Sequence, residues 1–92
     1  MNGYQYKAAP KFWRNFKNLT ASPKLSVKEA WQIFKRDPFD LRLRTHKIHR
    51  LSAALGKTVY AVDVERNLRV VFYLEGRIVF TLNIGTHDVY FP

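Results

Sequence analysis

The chain has no cysteine, which rules out disulfides and thiolate metal sites and is compatible with a reducing compartment. Acids are scarce as well: seven Asp and Glu face sixteen Lys and Arg, for a formal net charge of +9. No acid falls between Asp40 and Asp63, an interval that carries Arg42, Arg44, Lys47, Arg50 and Lys57. A field of that sign on a small domain suits a polyanion or an acidic protein as partner. No apolar run approaches the roughly 20 residues of a membrane-spanning helix, and the first residues lack a signal-peptide pattern. No membrane partner and a cytoplasmic location are therefore expected. Residues 1–92 are too few for two cores and are expected to form one domain. What the chain has in quantity is apolar surface, 47% hydrophobic residues, enough for a packed core and too much for global disorder.

The last third organises that surface. Three strands are expected at Val59 to Val64, Leu68 to Glu75 and Arg77 to Ile84, with Arg66-Asn67 and Glu75-Gly76 as hairpin turns. Strand alternation gives Leu68, Val70, Phe72 and Leu74 one face, and Arg69, Val71, Tyr73 and Glu75 the other. In the next strand it assigns Ile78, Phe80, Leu82 and Ile84 to the greasy face. The sheet should have one fully apolar face for a core and a second face carrying an arginine.

Upstream the period changes. Residues 3–8 read as an edge strand. Phe12, Phe16 and Leu19 then recur at helical spacing behind Pro10, a residue suited to a first helical turn. Thr20-Ala21-Ser22-Pro23 reads as a break, after which Ser26 and Glu29 suggest a capping box opening a second helix. Val27, Ala30, Trp31 and Phe34 form its stripe, and Asp37-Pro38 ends it. A basic loop follows, leading to a short strand near Lys47 to Leu51 and a connecting turn at Ser52 to Lys57. The fold class expected is α+β, a helical hairpin on an antiparallel sheet.

Five stretches together resemble a known family: the helix from Phe12 to Leu19, Asp37-Pro38-Phe39, Thr45-His46-Lys47-Ile48 with Leu51, Arg69-Val70-Val71-Phe72, and the ending Ile84-Gly85-Thr86-His87-Asp88-Val89-Tyr90. The chain is similar over nearly its whole length to the RelE/ParE toxins of type II toxin–antitoxin pairs, closest to the RelE/StbE-type mRNA interferases. The resemblance implies a helical hairpin on a curved antiparallel sheet of four to five strands. It implies a ribosome-dependent endoribonuclease that cuts mRNA in the decoding site by 2′-hydroxyl attack, with no metal or other cofactor. Its partners would be the ribosome with its rRNA, mRNA and a neutralising cognate antitoxin.

Such cleavage needs a base, an acid and positive charge on the developing phosphorane. Arg69 matches the family's sheet arginine, and its planar fork suits phosphate oxygens; the bland alternative is a salt bridge to Glu65 or Glu75. An unperturbed imidazole titrates near working pH, which makes His87 the first choice for acid or base, with Asp88 or Asp63 to orient it. Tyr90 matches a C-terminal tyrosine that stacks on a base or contacts phosphate. Lys47 matches a basic position of the family. Some relatives carry a glutamate base just upstream, where Thr45 stands, so His46 or His49 would have to replace it. The three histidines do not read as a zinc site, because His46 and His49 lack a third ligand at suitable spacing. Arg42, Arg44, Arg50, Lys11, Arg14 and Lys17 are expected to hold rRNA and mRNA backbones. Two other readings of the same fold stand beside this one: a non-enzymatic ParE-type inhibitor of gyrase, and a catalytically degraded toxin.

Overall fold

Three helices and five strands make up the chain in a computed structural model that describes residues 3–91. The strands are β1 (Gln5–Ala8), β2 (His46–Lys47), β3 (Val59–Glu65), β4 (Leu68–Glu75) and β5 (Ile78–Gly85). They lie in the order β1-β5-β4-β3-β2. β2 to β5 run antiparallel to their neighbours, whereas β1 lies parallel to β5. That parallel pair departs from the all-antiparallel expectation, and it lets the chain return through two helices before the sheet continues.

Helix α1 (Pro10–Lys17) begins on the proline and ends with Arg14 and Lys17 in its last turn, where cations meet the carbonyl end of the helix dipole. Helix α2 (Ala21–Phe34) starts five residues before the expected capping box. Thr20 is its N-cap residue, and Pro23 lies in the first turn, where a backbone N–H has no intrahelical partner to lose. Ser26 is therefore inside the helix, and its hydroxyl donates to Glu65 Oε2 at 2.5 Å instead of capping. A 3-10 helix (Leu41–Leu43) and β2 follow. The expected strand at Lys47 to Leu51 becomes a helix after Ile48, its extended N-cap: α3 (His49–Leu55) ends on Gly56, which takes φ 67 as a left-handed cap. Buried Ile48 and Leu51, three residues apart, give this short helix its inward side.

The alternation expected for β5 fails at one place. Its register against β4 shifts so that Val71 pairs with Asn83 and Phe72 with Thr81, leaving Leu82 as the extra residue of a bulge. Val79 and Thr81 thereby join the face of Phe72, as does Ile84 beyond the bulge. Phe80 instead stacks on Tyr73. Both faces carry cores. The hairpin face buries Phe12, Phe34, Leu43, Val62, Val70 and Phe72; the other buries Val59, Ala61 and Val71 under Ile48, Leu51 and Val89. On the hairpin side α1 packs on β5 and α2 on β3, which leaves an apolar cleft of about 500 Å³ between them.

Candidate active site

Arg69 projects from β4 on the face away from the hairpin, directly opposite Asp63 of β3. Its guanidinium is heavily constrained. Nη1 donates to the carbonyls of Glu65 and Arg66, both at 2.9 Å, in the turn between β3 and β4. Nε donates to Tyr90 Oη at 3.1 Å and stands 2.9 Å from Asp63 Oδ1. That last contact has ion-pair distance but not hydrogen-bond direction, so the buried Oδ1 receives no hydrogen bond among the described residues. Among the described residues, Nη2 is the one guanidinium nitrogen with no partner.

Tyr90 reaches Arg69 because the chain doubles back after β5. A 3-10 helix (His87–Tyr90) folds over the sheet end, pinned by buried Val89 and by Thr86 Oγ1 donating to Asp88 Oδ1 at 2.8 Å. The close approach requires Gly85, the cross-strand neighbour of Arg69, since a Cβ there would meet Val89 Cγ1 at 2.8 Å. The Tyr90 ring stands between two imidazoles, with His87 at 4.7 Å and His46 at 6.5 Å between ring centroids.

His46 comes from β2, paired with Ala61 of the same face. Its Nδ1 lies 2.8 Å from the carbonyl of Arg44, a residue held at φ 53. A carbonyl accepts only, so Nδ1 carries the hydrogen and Nε2 of the neutral ring is left basic. Phe91 extends the site: His87 meets its edge at 6.3 Å, and the Arg50 guanidinium from α3 lies 4.6 Å from its ring centre.

The architecture has counterparts among solved structures. A chain of the archaeal RelE-RelB complex from Pyrococcus horikoshii OT3 superposes with TM-score 0.71 at 14% identity, over 91% of this chain and 94% of that one. YafQ from E. coli strain BL21(DE3) gives TM-score 0.70 at 14% identity, over 97% and 99%. A chain of the E. coli DinJ-YafQ complex gives 0.63 at 16% identity, also over 97% and 99%. The fold is that of the RelE-type toxins. No family model and no curated protein matches the sequence.

Within this RelE-type fold the sequence-derived residues divide. Arg69, His87, Tyr90 and His46 gather on the face opposite the hairpin. Lys47 and His49 do not join them. Lys47 pairs with Tyr60, whose ring belongs to the hairpin core, and His49 opens α3 beside a shallow basic hollow shared with Lys47 and Lys57. Thr45, in place of an acid, donates its hydroxyl to the Pro38 carbonyl at 2.6 Å. Neither expected orienter serves His87: Asp88 takes the Thr86 hydroxyl, and Asp63 meets Arg69. The carboxylates of Glu65 and Glu75 are also not the arginine's partners, since the first accepts from Ser26 and the second lies 3.6 Å from Lys57.

Of the cations expected to hold nucleic acid, Arg50 stands at the site. Arg42 is clasped by Asp40 through Nε at 3.0 Å and Nη2 at 2.9 Å. Hydrogen bonds from the Arg42 side chain and backbone N–H lower that carboxyl to about 2. Arg44 contributes its carbonyl to His46. Lys11, Arg14 and Lys17 lie on α1, in the layer across the sheet from the site. Asp63 as an arginine partner and Phe91 as a second ring were not singled out. The aromatic pair Tyr90-Phe91 was the available signal for the latter.

Proposed function

We propose that this chain is the toxin of a toxin–antitoxin pair, a metal-independent endoribonuclease that cleaves mRNA in the ribosomal decoding site. The observation carrying the reading is one constellation: two imidazoles flanking a tyrosine whose hydroxyl accepts from a pinned arginine. RNA supplies its own nucleophile, so the protein needs to move two protons and stabilise charge. His46 Nε2 takes the 2′-hydroxyl proton as the 2′-oxygen attacks phosphorus. Arg69 Nη2 receives the charge on the phosphorane oxygens. His87 gives a proton to the departing 5′-oxygen, leaving a 2′,3′-cyclic phosphate and a 5′-hydroxyl. Phe91, backed by the Arg50 guanidinium, offers an exposed ring for a neighbouring base, and cations around the site hold backbone phosphates.

The antitoxin belongs on the opposite side of the sheet. The cleft between α1 and α2 is lined by Phe12, Phe16 and Val70, flanked by Trp13 and Trp31 at 51% and 40% exposure, and edged by Lys28. Lys24 reaches over Phe16 at 5.9 Å, and among the described residues no acid lines the cleft. An apolar segment with acidic flanks complements it. The solved RelE-RelB and DinJ-YafQ complexes support an antitoxin protein as partner.

Inducing the chain alone in a bacterial host, followed by primer extension on abundant messages, tests the reading. Codon-phased cuts that vanish when translation is blocked are expected. Intact messages with arrested DNA replication would replace it with a gyrase-type inhibitor.

A further inference from the structure

We infer that Asp63 is a positioning residue for Arg69, aiming the one uncommitted arm of the guanidinium at the phosphate. This rests on the RNA-cleavage reading and deepens it. The proposal starts from an anomaly: Asp63 Oδ1 is buried and accepts no hydrogen bond among the described residues, although it lies 2.9 Å from Arg69 Nε. A carboxylate taken from water without a full set of donors is a cost that the fold must offset elsewhere. Burial here is partial, with about a quarter of each side chain exposed, so bulk solvent screens the pair only in part.

The geometry states what that cost accompanies. Nη1 is held by the Glu65 and Arg66 carbonyls of the β3–β4 turn at 2.9 Å, with the Leu68 carbonyl at 3.5 Å, which fixes one end of the guanidinium. Nε is the second anchor, and it has two neighbours on different elements. Tyr90 Oη lies on the terminal 3-10 helix, and Asp63 Oδ1 lies on the adjacent strand. The strand neighbour is the rigid one, because Asp63 and Arg69 are direct cross-strand partners. The register slips immediately beyond it, Glu65 pairing with Leu68 and Val64 left over. That bulge turns the Glu65 and Arg66 carbonyls toward Nη1 while Asp63 still faces Arg69. Carbonyls, carboxylate and phenol thus approach Nη1 and Nε from separate elements and leave Nη2 without a hydrogen bond among the described residues. Asp63 touches no reacting atom in this scheme; it acts only through Arg69.

A double-mutant cycle on the full chain separates positioning from a merely structural ion pair. The substrate is a defined mRNA on purified ribosomes, and kcat and KM are measured apart. Asp63→Asn keeps the shape and removes the charge. It is expected to lower kcat by about 10²-fold, the effect of a small misplacement of a catalytic group, with KM within about twofold. In an Arg69→Ala background the same substitution should change nothing further. The second readout needs no cleavage: the Arg69 Nε–H resonance should shift between wild type and Asp63→Asn while Tyr90 Oη still accepts from it, and an unshifted resonance counts against the positioning role. Asp63→Ser serves if the asparagine variant does not fold. A cleaving wild type with an undiminished Asp63→Asn kcat, or an equal loss in both backgrounds, overturns the positioning role alone. A wild type that cleaves no message overturns the RNA-cleavage reading and the proposal with it.

Discussion

His46 and His87 flank the same phenol ring, yet their surroundings give them different work. The Arg44 carbonyl commits His46 to one tautomer with Nε2 basic, which is the state a proton acceptor needs before the reaction starts. His87 is exposed and meets Tyr90 and Phe91 through ring contacts, with no hydrogen bond fixing either ring nitrogen among the described residues. Replacing either with alanine should reduce cleavage by about 10²- to 10⁴-fold while leaving the circular dichroism spectrum unchanged. The two losses should differ in kind. An RNA whose 5′-oxygen leaving group is replaced by sulfur departs without a proton, so it should rescue His87→Ala and not His46→Ala. Rescue of both, or of His46→Ala alone, would reverse the assignment. Arg69, His87, Tyr90 and His46 were legible in the sequence because single residue identity marked each one: a lone charge in an apolar strand, and rings in a polar ending. Lys47 stands apart from these four because β2 alternates: one residue beyond His46, it pairs with Tyr60, whose ring packs on the hairpin side.

At the level of elements, the terminal 3-10 helix carries His87 and Tyr90 to Arg69 only if its backbone can close on β5. Gly85 is where that closure happens, with Val89 Cγ1 2.8 Å from the place a Cβ would occupy. Valine is stiff about χ1 and this one is buried, so it has little room to retreat. Gly85→Ala should therefore cost about 1–3 kcal/mol in urea denaturation, the usual penalty for overpacking. Cleavage should fall further than stability predicts, because the displaced element holds two site residues. An alanine variant that matches wild type in both measurements would remove the closure argument. The helices α1 and α2 and strands β3 to β5 could be read from period and proline, since their stripes are long. The bulge at Leu82 could not, because it depends on the register that β4 imposes from across the sheet. The helix α3 was read as strand and turn because its seven residues give only two turns of pattern and its first two, His49 and Arg50, are polar. Gly56 was the stop signal that favoured a helix.

Taken whole, the molecule is a sheet with different business on its two sides, and its charge of +9 has to serve both. On the proposed reading the site face needs cations for RNA, and the hairpin face holds an apolar cleft that a monomer would ordinarily close. Closing it requires side chains that the hairpin does not have: α1 follows β5 and α2 follows β3, so the floor over β4 stays open. Two half-exposed tryptophans beside a cleft of about 500 Å³ are an expensive surface to leave in water at roughly 25 cal/mol per Å². A partner that fills the cleft removes that cost, and Lys24 and Lys28 on α2 select an acidic one. Reversing both charges, Lys24→Glu with Lys28→Glu, should weaken capture by the antitoxin by about 10- to 100-fold. The remaining affinity should depend less on salt, as expected when paired surface charges are removed. Because the site lies across the sheet, the same variant should still inhibit growth when induced alone, and co-expressed antitoxin should rescue it poorly. Loss of toxicity together with loss of capture would show the two faces to be one surface for the ribosome. Unchanged capture at every salt concentration would move the antitoxin to another part of the molecule.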